Sequence, residues 1–384
     1  MVPAARVAAA IEILDSILAG QAAEPALTGW ARANRYAGSK DRAAIRDHVF
    51  DALRCRRSYA WLGGAETGRG LMVGACRDRG IDPATLFDGS RFAPAPLTPD
   101  EAGQPLDAAP RGVRLDMPDW QLPHWDDGPA DPDAAMACLR HRAGVFLRVN
   151  ARMGDLAQAQ AVLLEDEIET APVTGVPSAL EVVTNPRRVA SSRAYTEGLV
   201  ELQDPASQIA VSRLDLRDGM RVLDLCAGGG GKALAMAAQA DVQVVAHDID
   251  PARMADIAPR AARAGVRIDT VAPGEIPGRF DLVLIDAPCS GSGTWRRAPQ
   301  AKWALTPARL AELTAIQSRL LEQGAEHVAA GGALAYATCS VFRCENEART
   351  DAFLASRSAA MPDPPTRLDP AVRQDGFYLA GMIV

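Results

Sequence analysis

From residue 220 onward the chain alternates short, largely apolar runs with segments of helical spacing, and this alternation constrains the fold more than any other feature. Residues 221–225, 242–246, 280–285 and 333–337 have strand length and strand composition. Between them, 232–239 and 252–264 carry apolar residues at helical spacing. Thr306 and Pro307 open a long helix through Leu310, Leu313, Ile316, Leu320 and Val328. Strands separated by helices pair in parallel, because a parallel connection needs a crossover. The expectation is an α/β, doubly wound, mostly parallel sheet, with ligand sites beyond the carboxyl ends of its strands.

The chain has 384 residues, more than one typical domain needs, and the rest of it changes texture twice. Residues 4–19 place Val7, Ala8, Ile11, Leu14 and Leu18 at helical spacing and close on Gly20. A second helix is expected around Leu27, Trp30 and Ala31, and a third from a cap at Asp41 through Ile45, Val49 and Leu53. Residues 1–80 therefore read as an all-helical domain. Ten of the 27 prolines fall between Asp82 and Pro132, where periodicity vanishes, so 81–140 is expected to be an irregular connector anchored by Trp120 and Trp125. Residues 141–205 read β-α-β-β-α-β, with strands at 145–149, 168–173, 180–183 and 199–202 and helices at 155–164 and around Ala194. This small α+β order suits an RNA-recognition-like module. The doubly wound α/β domain would then occupy 206–384.

Composition excludes some classes and leaves others open. Hydrophobic residues make up 48% and charged residues 23%, so the chain folds around sizeable cores rather than staying disordered. No apolar run approaches the roughly 20 residues that a membrane span needs. The seven cysteines form no CxxC pair, which fits free thiols in a reducing cytoplasm. The net charge of −7 does not decide for or against nucleic acid, since phosphate binding depends on where basic residues lie. Three local clusters are candidates: Arg32 to Arg57, Arg187 with Arg188 and Arg193, and Arg296 with Arg297 and Lys302. The competing reading of each is a solvated face.

Three segments at expected strand ends carry chemistry. The first is Asp224-Leu-Cys-Ala-Gly-Gly-Gly-Gly-Lys232, where the strand turns into the helix. It is not a Walker loop, because Cys226 stands where the first glycine of that motif belongs and Ala233 follows the lysine. Gly228, Gly230 and Ala233 do fit G-x-G-x-x-A, and Asp248 lies at the end of the next strand, placed to accept from ribose hydroxyls. NAD and S-adenosylmethionine both satisfy this pair of features. The second segment puts Asp286 and Cys289 beyond the run 280–285, and the third puts Cys339 beyond the run 333–337. Carbon 5 of a cytosine becomes nucleophilic only after addition at carbon 6. A thiolate, a carboxyl group facing ring nitrogen 3 and a base for the carbon 5 proton are what that chemistry requires. Against this stand inert packing of strand-end cysteines and a metal cluster of Cys226, Cys289, Cys339 and Cys344. The latter lacks paired ligand spacing and histidine.

At Asp286-Ala-Pro-Cys-Ser-Gly291 and Tyr336-Ala-Thr-Cys-Ser340 the chain resembles the Sun/Nop-type RNA cytosine-5 methyltransferases, in particular the bacterial ribosomal branch with a NusB-like amino-terminal domain. Gln203-Asp-Pro-Ala-Ser207, Arg148-Val-Asn150 and Asp375-Gly-Phe-Tyr378 extend the resemblance over nearly the whole chain. It implies a Rossmann-like class I methyltransferase domain, S-adenosylmethionine as cofactor, and RNA as partner, ribosomal rather than transfer RNA. A monomer in the cytoplasm is expected. The resemblance implies Cys339 as attacking nucleophile, Cys289 as the cysteine that assists release, and Asp286 as the aspartate facing cytosine and the cofactor's methionine end. Cys226, Ala227, Gly228, Gly229, Gly230, Gly231 and Lys232 would form the cofactor loop, and Asp248 would hold ribose; no metal is implied. The chain departs from the pattern at Gly228-Gly229, where Ala-Pro is usual, at Ala233 in place of Thr, and at Thr270–Gly274, which lacks an acidic residue for adenine. Two other functions remain in view: an NAD(P)-dependent dehydrogenase, which leaves the cysteine loops unexplained, and a non-enzymatic RNA- or ribosome-binding factor.

Overall fold

The computed structural model describes residues 1–357 and 359–384. By its internal contacts the chain divides into two units. The first holds Met1–Asp126, Asp131–Arg142 and Trp295–Leu305; the second holds Asp127–Ala130, Ala143–Thr294 and Thr306–Val384.

In the first unit, α1 (Pro3–Leu18), α2 (Ala23–Ala33), α3 (Ser39–Arg54), α4 (Arg56–Gly63) and α5 (Gly68–Asp78) enclose one apolar core built on Val7, Leu14, Ile45, Val49, Leu53 and Leu71. Asp41 does not cap α3. Gly38 holds that position, and the Asp41 carboxylate in the first turn receives the amino terminus and Arg6 instead. The proline-rich stretch breaks into 3-10 turns and the short helices α6 (Arg111–Arg114), α7 (Leu122–Asp126) and α8 (Pro132–Cys138). Trp125 is fully buried and meets the Trp295 ring at 6.0 Å, while Trp120 is only half-buried. Asp116, also fully buried, accepts from the Ser58 amide and hydroxyl and from Arg140, each at 2.8 Å.

The second unit contains two sheets. In the first, β1 (Phe146–Val149), α9 (Leu156–Glu165), β2 (Thr170–Pro172), β3 (Ala179–Val182), α10 (Arg193–Thr196) and β4 (Val200–Leu202) give the strand order β2-β3-β1-β4, every neighbour antiparallel. α11 (Pro205–Ser212), capped by Asp204, leads into β5 (Arg221–Asp224), α12 (Gly231–Gln239), β6 (Gln243–His247), α13 (Ile257–Arg263), β7 (Ile268–Val271) and β8 (Phe280–Asp286). The chain passes through α14 (Pro299–Ala304), which belongs to the first unit. It then forms α15 (Pro307–Glu326), β9 (Val328–Thr338), α16 (Glu347–Ser356), β10 (Thr366–Leu368) and β11 (Phe377–Ile383).

The second sheet is ordered β10-β11-β9-β8-β5-β6-β7. The run from β9 to β7 is parallel, and β11 lies antiparallel to β9. Apolar cores cover it on both faces, one around Val222, Val244 and Leu282 and the other around Leu223, Val283 and Leu334. That burial explains the near-continuous apolar strands. The sequence predicts one helix over 252–264, but α13 starts only at Ile257, after a 3-10 turn at Pro251–Met254. Pro259 accounts for the break, because its ring has no N–H and would clash with the carbonyl four residues back, at Ala255. Among the described residues no helix is long and apolar enough to cross a membrane.

Candidate functional site

Four neighbouring parallel strands, β6, β5, β8 and β9, end side by side, and each contributes one element of the site. Beyond β5 the glycine loop turns back into α12. Gly228 and Gly230 have φ of +50° and +79°, a region that L side chains rarely enter. A Cβ on Gly230 would also lie 2.8 Å from Ile257 Cγ1, so close packing adds to the backbone requirement. The loop is stitched to the end of β6 by the Ala227 amide on the His247 carbonyl and the Gly228 amide on Asp248, at 2.8 and 2.9 Å.

Asp248, buried and at the end of β6 as expected, accepts from the Gly228 and Asp250 amides and pairs with Arg253. Arg253 lies across the mouth of the loop with more than half its side chain exposed, and sequence reasoning gave it no role. A diol entering this site meets a carboxylate already oriented by two backbone amides. Beneath the loop, Asp224 is buried and neither of its oxygens finds a hydrogen-bond partner. Burial, reinforced by Asp286, pushes its carboxyl up to about 7. A buried carboxylate of this kind under a glycine turn suits a cationic, amine-bearing nucleotide ligand, so the residues present fit S-adenosylmethionine. Thr270–Gly274 offers no acid, and Asp269 and Glu275, the nearest alternatives in sequence, are both exposed.

Lys232 was expected only as part of the loop. Its ammonium instead reaches Asp286 Oδ2 at 2.6 Å and sits 5.0 Å from the Phe377 ring centroid. Burial opposes its charge most strongly, but the attraction and hydrogen bond of Asp286, with Cys339 and Asp224 adding, raise the lysine's pKa on balance, so it stays charged. One oxygen of Asp286 is thereby held and the other left for a ligand. Phe377 belongs to the Asp375–Tyr378 segment, which is fixed by the Asp375 amide on Asp204 at 3.1 Å.

Cys289 and Cys339 stand at the ends of adjacent strands with their sulfurs 3.4 Å apart. The two loops are laced together by the Gly293 amide on the Cys339 carbonyl at 3.0 Å. Thr294 Oγ1 lies 4.0 Å from the Cys339 sulfur. The thiols are not equivalent. Cys339 is pulled below the ordinary thiol range by the hydrogen bond from Cys289, with Lys232 adding positive charge. Cys289 is pushed well above it, first by that same bond and then by burial. Burial also raises Cys226, and raises Cys344 to about 11, so among the four cysteines singled out only Cys339 is biased toward thiolate.

The basic clusters divide, and three of their members fit neither expected form. Lys302 and Arg296 are buried, not exposed: the Lys302 ammonium donates to the Arg54 carbonyl at 2.9 Å, and burial pushes it down to about 8. Arg54 is itself buried on the Arg296 carbonyl, and Arg46, Arg56 and Arg57 pair with Glu24, Glu66 and Asp119. Arg188 and Arg193 pair with Glu167 and Glu165. Arg297 stays exposed, as do Arg32, Arg35 and Lys40.

Sequence and fold both have known counterparts. Residues 211–380 match the family described as 16S rRNA methyltransferase RsmB/F. The ribosomal RNA small subunit methyltransferase B of Citrobacter koseri is 33% identical over 289 residues, covering 71% of this chain and 67% of that protein. Its counterpart in Escherichia coli O6:K15:H31 is 33% identical over 69% of this chain and 66% of its own length. The matches thus span about two thirds of these relatives. The crystal structure of PH0851 superimposes over 100% of this chain and 99% of its own at a TM-score of 0.76 and 23% identity. A methyltransferase homologue from Pyrococcus horikoshii does so over 75% of this chain and 99% of its own at 0.61 and 23%, so both speak to fold alone. S-adenosylmethionine is the cofactor that these methyltransferase relatives imply, and the dinucleotide alternative falls away.

Proposed function

Since the chain belongs to the 16S rRNA methyltransferase RsmB/F family, we propose that it methylates carbon 5 of a cytosine in ribosomal RNA through a covalent adduct on Cys339. The observation that carries this reading is the pair of unequal thiols 3.4 Å apart, beside an aspartate already held by a lysine. S-adenosylmethionine supplies an electrophilic methyl group when bound, with Asp248 holding its ribose and residues 226–232 framing its path. Ribosomal RNA is favoured over transfer RNA because the relatives are ribosomal RNA small subunit methyltransferases.

The division of labour follows from charge. The Cys339 thiolate adds to carbon 6 of an unpaired or flipped cytosine while Asp286, entering the step as the acid, donates a proton from its free oxygen to ring nitrogen 3 and takes it back on elimination; electron density moves to carbon 5. Once carbon 5 carries the methyl group, a base must take its proton. The electrons of that bond then rebuild the ring double bond and expel Cys339 as thiolate. Two of the three largest effects that keep Cys289 protonated are the hydrogen bond and the charge of Cys339. Both vanish when Cys339 is tied up in a carbon–sulfur bond, so Cys289 gives its own proton to water and, as thiolate, takes the carbon 5 proton.

The test uses ribosomal RNA labelled with tritium at carbon 5 of cytosine. Tritium should be released in step with methyl transfer. Methylation without release would place the methyl group elsewhere and leave only the family's general activity standing. Two further outcomes are expected. Asp248→Ala should weaken S-adenosylmethionine binding by about 1.5–3 kcal/mol, the range for a lost hydrogen bond to a charged group. An unchanged titration would remove Asp248 from the ribose site. In iodoacetamide alkylation of Cys339 against pH, the midpoint should lie below that of an ordinary thiol and move upward in Cys289→Ala, which loses the S–H donor that lowers it. A midpoint that stays put would mean the two sulfurs do not share a proton.

A further inference from the structure

Behind the two thiols lies a polar cluster that the reaction does not use. Glu345 is fully buried on the turn that follows the Cys339 loop. Its Oε1 accepts from the Ser290 amide at 2.8 Å and from Gln317 Nε2 at 3.0 Å. Its Oε2 accepts from the Ser290 and Ser340 hydroxyls, both at 2.5 Å. Ser290 and Ser340 are the residues that directly follow Cys289 and Cys339. The same two loops share a second link, since Ser290 and Ser340 lie 3.2 Å apart at their hydroxyls and Ser292 bonds Ser340 at 3.0 Å. Beside it, Asn346 holds the Ser340 carbonyl at 2.9 Å and accepts from Thr338 at 2.6 Å.

We propose that Glu345 is a positioning residue for the thiol pair: one carboxylate grips the residue after each cysteine and thereby sets the spacing between Cys289 and Cys339. Every lone-pair direction of this carboxylate is spent on the two loops and on α15, so it cannot relax without releasing one of them. The β8 and β9 loops have no covalent link across the strand ends, and the sulfurs lie at the tips of both. A buried anion with four donors is a stiffer clamp than neutral hydroxyl contacts, because charge-assisted bonds are roughly twice as strong. Its charge lies on the Cys289 side, where it also opposes ionisation of that thiol. The inference rests on the proposed roles of the two cysteines only where methylation is measured; the thiol spacing is a separate observable.

Glu345→Gln keeps the shape but places donors against the serine hydroxyls on one side, and Ser340→Ala cuts the carboxylate's grip on the Cys339 loop together with the hydroxyl links to Ser290 and Ser292. Both are compared with the parent chain in two assays. In the first, diamide takes the two thiol hydrogens and the Cys289–Cys339 disulfide is followed by intact mass. Its rate should fall at least tenfold in both variants while thermal unfolding shows a folded chain. In the second, turnover of ribosomal RNA should fall about 100-fold, as about 1 Å of misplacement costs, with the KM for RNA and the affinity for S-adenosylmethionine within twofold of the parent. An unchanged disulfide rate in folded Ser340→Ala and Glu345→Gln would overturn the proposal. Parallel loss of turnover and cofactor affinity would overturn it too, by making Glu345 a general structural residue. If the parent chain closes the disulfide rapidly but methylates nothing, the function fails and the clamp stands.

Discussion

Cys339→Ala will transfer no methyl group and form no adduct, while Cys289→Ala will accumulate protein joined to RNA on a denaturing gel. The first substitution removes the one thiol of the four singled out that is biased toward thiolate, and its loss of turnover should be on the order of 10⁴-fold or more, the scale at which enzymes lose an attacking nucleophile. The second leaves Cys339 able to add and carbon 5 able to take the methyl group. It removes the base, so the carbon–sulfur bond has no route to break. Inert core cysteines would behave otherwise, losing some stability in either variant and trapping nothing. A trapped complex with Cys339→Ala but not Cys289→Ala would reverse the two roles, and full activity in both would end the mechanism.

The second large effect is on stability. Asp116→Ala should cost the helical unit about 3–5 kcal/mol, because it leaves the buried Ser58 amide without its acceptor, the Arg140 guanidinium with Asp78, at 3.5 Å, as its remaining carboxylate, and the Ser58 hydroxyl with the Cys55 carbonyl, at 3.2 Å, as its remaining acceptor. Asp116→Asn, which retains an acceptor for Ser58, should lose less. Urea unfolding of the three proteins measures this. A loss under about 1 kcal/mol for the alanine variant would mean that the pocket collapses or that water takes over the bonds.

What could be read from the chain was local in sequence. The strand–turn–helix signal of Asp224–Lys232, the acid at Asp248 and the two loops at Asp286–Gly291 and Tyr336–Ser340 each announce themselves within a few residues. Their convergence follows from the order of the strands. The break in 252–264 also had a visible cause in Pro259, which a periodicity count passes over. What escaped depends on distant partners. Lys232 turns from the glycine loop to an aspartate 54 residues away, and Glu345 gathers serines from two loops. Arg253 crosses a carboxylate that sequence reasoning left open to ligand alone. The basic runs were misjudged because charge per segment carries no record of burial. Lys302 and Arg296 look like surface residues until Arg54 is seen bonded to both and Trp303 under the Lys302 ammonium.

The assignment of Trp295–Leu305 to the helical unit has a consequence for how the polypeptide is made. A chain synthesised from its amino terminus cannot finish that unit when residue 142 emerges, because Trp295 and Lys302 are still uncoded length away. Until then the cavity meant for the Trp295 indole and the carbonyl of Arg54 that receives Lys302 have only water to fill them. The parallel sheet is equally incomplete at that moment, since β9 and β11 follow residue 305. Both units must therefore reach their native state late and nearly together, and a gene cut at the boundary between them would leave each half lacking a piece that the other encodes.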